Sequence, residues 1–111
     1  MAVTAKRLCT GDVGSGSIGT LYTAPASTRT VVRQVALCNT TAGALTVDVY
    51  LVLSGGSATA ATQVLKAYSV AAGATVEPPG LAGQVIEAGG SLRAQASGAG
   101  LTCIASGSEI A

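Results

Sequence analysis

The stretch Leu45-Thr46-Val47-Asp48-Val49-Tyr50-Leu51-Val52-Leu53 places Leu or Val at every odd position, with Thr, Asp, Tyr and Val between them. A strand sends successive side chains to opposite faces, so this run reads as a strand with one buried and one mixed face. The alternation returns over residues 30–39, where Val31, Val35 and Leu37 are in phase. Arg33 falls among them, which suits a sheet edge or an acidic partner. Between the two runs, Thr40-Thr41-Ala42-Gly43-Ala44 is a short connection with a glycine, which predicts a hairpin.

Further strands are predicted at residues 17–23, 63–70, 74–77, 84–87, 91–96 and 101–105. Pro25 and Pro78-Pro79 stop two of them, because proline has no N–H for a sheet ladder. Leu92, Ala94 and Ala96, then Leu101, Cys103 and Ala105, form the inner face of the last two. Residues 58–62 read as an irregular loop, and no helix is predicted. About eight short strands, with turn signals roughly every 8–12 residues, predict an all-β chain. The expected form is an antiparallel β-sandwich, jelly-roll-like, with an extended N-terminal segment. Residues 1–20 are read as an N-terminal arm or first strand plus a Gly-rich loop, and residues 21–111 as the sandwich domain.

The core available to such a sandwich is thin. Apolar residues make up 49% of the chain, yet it has no Phe or Trp. Surface scaling for this mass gives a folded area of roughly 5,500 Å² against about 15,500 Å² unfolded. A single domain can fold on that margin, and a small-residue core of this kind gains from burying more surface in an oligomer.

Composition also narrows the chemistry. The chain has no histidine, the side chain most often used for proton transfer near neutral pH. Its net charge is +1, and the basic residues are dispersed apart from Lys6-Arg7. Nucleic-acid binding needs a clustered basic surface and is not expected. No run of 18 or more apolar residues suggests a membrane helix, and the N-terminus lacks the pattern of a signal peptide. Synthesis in a cytoplasm is expected, with Cys9, Cys38 and Cys103 as reduced, small hydrophobes.

Gly14-Ser15-Gly16-Ser17-Ile18-Gly19 fits the dinucleotide-binding G-x-G-x-x-G pattern, which works at the start of a helix. The following Thr20-Leu21-Tyr22-Thr23-Ala24-Pro25 favours a strand, so the segment reads as a loop. Asn39-Thr40-Thr41 fits the glycosylation pattern and is read as turn chemistry. The cysteines lack zinc-site spacing. The carboxylates Asp12, Asp48, Glu77, Glu87 and Glu109 fall on separate elements. No cofactor, metal or catalytic residue is assigned, and the chain is not read as an enzyme.

Tyr22, Tyr50 and Tyr68 are the aromatics. Tyr50 and Tyr68 fall on the phase opposite the expected core, as do Val32, Val52 and Ile104. That second face is covered either by a loop of the same chain or by a partner, and tyrosine suits the latter. The candidate interface is therefore Lys6, Arg7, Tyr22, Val32, Tyr50, Val52, Tyr68 and Ile104.

Leu21-Tyr22-Thr23-Ala24-Pro25, then residues 29–41 ending at Asn39-Thr40-Thr41, resemble small virion structural proteins of tailed bacteriophages. The Thr/Val-rich strand at residues 45–53, the turn Ala72-Gly73-Ala74-Thr75 and the segment 91–105 extend the resemblance. It covers most of the chain from Leu21 onward and is a pattern of folding, so no functional residue is carried over. It implies a β-sandwich that decorates or reinforces a capsid, or belongs to the neck or tail. Its partners would be the major capsid protein or other virion proteins. A homo-oligomer is expected, with a trimer favoured, located in the virion and made in the host cytoplasm. The first 20 residues fall outside the resemblance and would form an arm onto a neighbour. Two other readings are a tail-tip, fibre or neck module that binds a host surface, and an enzyme using a cysteine or carboxylate.

Overall fold

The computed structural model describes residues 3–111; the first two residues of the 1–20 segment lie outside it. Nine strands form two antiparallel sheets: β1 (Val3–Asp12), β2 (Gly19–Thr23), β3 (Arg29–Asn39), β4 (Leu45–Val52), β5 (Gln63–Val70), β6 (Thr75–Val76), β7 (Val85–Ile86), β8 (Ser91–Ala96) and β9 (Leu101–Ile110). The first sheet runs β1-β9-β3-β6, with β7 also on β3, and the second runs β2-β8-β4-β5. With β7 set aside, this alternation of chain segments between two four-stranded sheets is the strand order of a jelly roll. The accessible area of 5529 Å² agrees with the value that mass alone predicts.

The core lies between the sheets and is built from Val, Leu, Ile and Ala. Leu37, Val47, Leu81, Leu92 and Leu101 are each at most 1% exposed. Leu92, Ala94 and Ala96, with Leu101, Cys103 and Ala105, face inward as the alternation predicts. β9 runs five residues past the predicted Ala105, since Ser106 to Ile110 continue to pair with both β1 and β3. Residues 58–62 are loop apart from one 3-10 turn at Ala60–Thr62, where Thr59 N–H donates to Thr62 Oγ1 at 3.0 Å.

The predicted hairpin of β3 with β4 does not form. β3 pairs along its length with β9, whereas β4 pairs with β8 and β5 in the other sheet. The connection crosses between sheets because Asn39 fixes a corner there. Asn39 is fully buried; its Nδ2 donates to Gly43 O (2.8 Å) and Val70 O (3.0 Å). Its Oδ1 accepts from Thr41 N–H (2.9 Å) and Thr41 Oγ1 (2.7 Å). Thr40 then ties the corner to the β8–β9 turn, its N–H and Oγ1 both donating to Gly100 O.

Bulges shift the phase of several strands. A bulge places two residues opposite one, so side chains beyond it change faces relative to simple alternation. Arg33 is the extra residue of β3: its neighbours Val32 and Gln34 oppose adjacent residues Gly107 and Ser106 of β9. The bulge turns Thr30 and Val32 inward and leaves Arg33 exposed, without an ion pair among the described residues. Leu8 is the matching extra residue of β1. In β5, Lys66 and Ala67 together oppose Asp48, whose Oδ1 accepts the Ala67 N–H at 2.7 Å.

Ala67 takes up this bulge with φ of 50°, where its Cβ is crowded. Ala67→Gly is therefore expected to stabilise the fold by about 0.5–1 kcal/mol despite the added freedom of the unfolded chain. Urea unfolding checks the sign, and a loss of stability would show that Asp48 fully compensates the strain.

Candidate functional site

The predicted interface residues do not share a surface. Tyr22 and Val32 lie in the core, turned inward by the bulges of β2 and β3. Tyr68 is half-buried and packs against the core, opposite Val47, because the β5 bulge reverses its face. Tyr50 and Val52 do point away from the core, opposite Arg93 and Ser91, but are 8% and 3% exposed. The β4–β5 connection lies over that face: Gly56 sits so close that a Cβ there would be 3.3 Å from Val52 Cγ1. The chain's own loop thus covers the Val52 part of this face. Lys6, Arg7 and Ile104 remain exposed.

Those three lie on the β1–β9 side of the first sheet. Ile104 is 48% exposed between Thr10 of β1 and Ala36 of β3. Arg7 opposes Ser106 two pairs further along. β1 pairs on one side with β9, and no described strand pairs on its other side. Of its ten residues only Leu8 is buried. The sequence pattern marks Lys6, Arg7 and Ile104 but misses Thr10, Ser106 and Thr102, since small polar residues carry no hydrophobic phase.

A polar seam joins the sheets at one end of the sandwich. Tyr22 Oη shares a hydrogen bond with Thr30 Oγ1 (2.7 Å) and donates to Glu109 Oε2 (2.5 Å), which also meets Lys6 Nζ at 3.2 Å. Burial and the neighbouring Glu109 carboxylate push the Tyr22 hydroxyl up to about 12. The Tyr22 hydroxyl and then Lys6 hold the Glu109 carboxyl below its usual range. Burial and charge at this seam suit structural linkage between sheets.

The seam sets the expected pH dependence. Unfolded tyrosine ionises near 10 and Tyr22 near 12, so its contribution is intact below about pH 10 and is lost on rising to about 12. Glu109, with a lowered value, contributes above the usual carboxylate range and loses that contribution as pH falls through its folded value. Tyr22→Phe is expected to cost about 1–2 kcal/mol at neutral pH, since the buried Thr30 hydroxyl loses its partner. The variant should also flatten the alkaline decline, as followed by thermal unfolding between pH 7 and 12. An unchanged decline would place its origin elsewhere.

Other predicted features fall as follows. Gly14-Ser15-Gly16-Ser17-Ile18-Gly19 is a loop leading into strand β2; Gly14 and Gly16 both have φ of 87°, and Gly14 N–H donates to Asp12 Oδ1 at 2.9 Å. Asn39 is buried and committed to its corner, as the turn reading expects. Among the described residues, no three His, Cys, Asp or Glu side chains group as a metal site. No helix there is long and apolar enough to cross a membrane. Cys9 and Cys103 bring their sulfurs within 3.2 Å beside a cavity of about 190 Å³, while Cys38 lies apart on the outer face of β3, opposite Thr102.

No known family model matches the chain, and no curated protein matches it. Among solved structures, a chain of the infectious bursal disease virus Gx strain is similar at 15% identity with a TM-score of 0.43. The alignment covers 96% of this chain and 28% of that one, so this chain spans little more than a quarter of its length.

Proposed function

We propose that this chain is a virion structural protein, acting without catalysis as a decoration protein on a tailed-phage capsid. The observation that carries this reading is the open β1 strand, ten residues long, with one residue buried and its far edge unpaired among the described residues. Unpaired backbone N–H and C=O groups along an edge accept a further strand. The adjoining face, with Arg7, Thr10 and Ile104, would supply side-chain contacts to the same neighbour. Jelly rolls recur in capsid and lectin domains, which is compatible with this role and does not establish it. The sequence resemblance to phage virion proteins supports a place in the particle. Glycan binding by a tail-tip module has less support, because Tyr22 and Tyr50 are buried and Tyr68 is half-buried, leaving no fully exposed aromatic platform.

Purified protein should co-sediment with undecorated capsids of the phage that encodes it, and electron microscopy should place added density across subunit boundaries. Arg7→Glu combined with Ile104→Thr, both on exposed positions of that face, should weaken this association while leaving the unfolding midpoint within a few degrees. Particles that lack the protein, and capsids that fail to bind it, would overturn the reading.

A further inference from the structure

We propose that Cys9 and Cys103 are a dithiol that a small-molecule disulfide converts to an intramolecular disulfide, stapling strand β1 to strand β9. The proposal rests on geometry and is independent of the virion reading. Cys9 opposes Ala105 and Cys103 opposes Gly11, so the two cysteines are diagonal neighbours on the inward side of adjacent antiparallel strands. Their sulfurs are 3.2 Å apart, and a disulfide needs about 2.05 Å, a gap that side-chain rotation and a small strand adjustment close.

The two thiols differ in the way such a reaction requires. Cys9 is half-exposed and Cys103 is buried. The hydrogen bond from the Cys103 thiol favours a thiolate on Cys9, while that bond and burial keep the proton on Cys103. The cavity beside them, closed by Thr20 and Leu21 of β2 and by Asp12, admits a small reagent to the sulfurs. Gly11, opposite Cys103, carries no side chain to block that approach.

The exchange proceeds in two displacements. The Cys9 thiolate attacks one sulfur of the reagent RSSR, forming a mixed disulfide and releasing RS⁻. Cys103 gives up its proton, attacks the Cys9 sulfur and expels the second RS⁻. The two RS⁻ take up the two protons. Two protein thiols and RSSR thus become one protein disulfide and two RSH, with the protein oxidised and the reagent reduced. Cys38, on the opposite face of the sheet, cannot reach either sulfur in the folded chain.

β1 contributes little else to its own retention. Beyond the ladder to β9, its described anchors are the buried Leu8 and the Lys6–Glu109 ion pair. A covalent link between residues 94 positions apart in the chain restricts the unfolded ensemble strongly.

The test uses the full chain carrying Cys38→Ser, treated while folded with 2-hydroxyethyl disulfide, an uncharged reagent, and read by intact-mass and peptide mass spectrometry. The expected product has lost two hydrogens, contains a Cys9–Cys103 linked peptide, and reverts with dithiothreitol. Its unfolding midpoint should rise on the order of 10 °C, and exchange of β1 amides should slow. With Cys103→Ser added, the reaction should stop at a hydroxyethyl adduct on Cys9; with Cys9→Ser added, Cys103 should stay unmodified. A lasting adduct on Cys9 when Cys103 is present would overturn the proposal. Chains linked to one another, or no reaction while the folded state persists, would do the same.

Discussion

Asn39→Ala is expected to lower the unfolding free energy by about 3 kcal/mol. Asn39 lies wholly inside the sandwich and makes four hydrogen bonds, two donated and two accepted. Each net bond is worth about 1 kcal/mol, and a buried carbonyl left without a donor costs about 1–3 kcal/mol. Alanine would strand Val70 O, and its small side chain cannot replace the link between the β3–β4 corner and β5. Asn39→Asp separates the two halves of the corner. A carboxylate still accepts from Thr41, but it faces the Val70 and Gly43 carbonyls with no proton to donate. It should therefore be no more stable than the alanine variant at neutral pH and recover partly when protonated. Urea titration with an unchanged slope gives the loss directly. A loss below about 1 kcal/mol would mean that the connection holds its path without Asn39.

Gly107→Ala is expected to cost about 2–3 kcal/mol, near the upper end for an overpacked site. Gly107 lies on β9 between Lys6 of β1 and Val32 of β3, next to Ser106, which the bulges of both strands flank. A Cβ there would collide with the backbone carbonyl of Val31 and lie 3.1 Å from Leu8 Cδ1. A flexible side chain could yield, but the Val31 carbonyl belongs to the sheet backbone. The steric cause has a control in the same molecule. A Cβ at Gly43 would meet nothing within 4 Å, so Gly43→Ala should change stability by no more than about 0.5 kcal/mol. Equal effects at the two positions would remove the close approach as the explanation.

These two sites show where the sequence was informative. Alternation revealed most strands after residue 17 because alternate side chains enter the core, and it assigned the inner residues of β8 and β9 correctly. It failed at Val32 and Tyr68 because one added residue reverses the faces, and the bulge built on Ala67 has no compositional mark. Arg33 was itself the available signal: a cation in the core phase of a strand fits better as the extra residue of a bulge. The β3–β4 hairpin failed for another reason. A five-residue connection can turn back or cross between sheets, and the choice lay with Asn39, whose partners Val70 and Gly43 are brought near only by the finished fold. The exposed residues of β1 and β9 were legible in part: Ile104, Lys6 and Arg7 stood out, whereas the threonines and serine beside them did not.

The strand order has a consequence for how the chain acquires its shape during synthesis. The C-terminal strands of this sandwich, β8 and β9, take central places: β8 between β2 and β4, and β9 between β1 and β3. Until they emerge from the ribosome, β1 and β2 lack their long ladder partners, and both sheets stand open in the middle. The nascent chain must therefore hold its early strands unpaired, and closure of long loops then makes folding slow for a domain of this size. When β8 and β9 arrive, joined by a short turn, they fill both sheets almost together. That late arrival delays completion of either sheet until nearly the whole sandwich has been made.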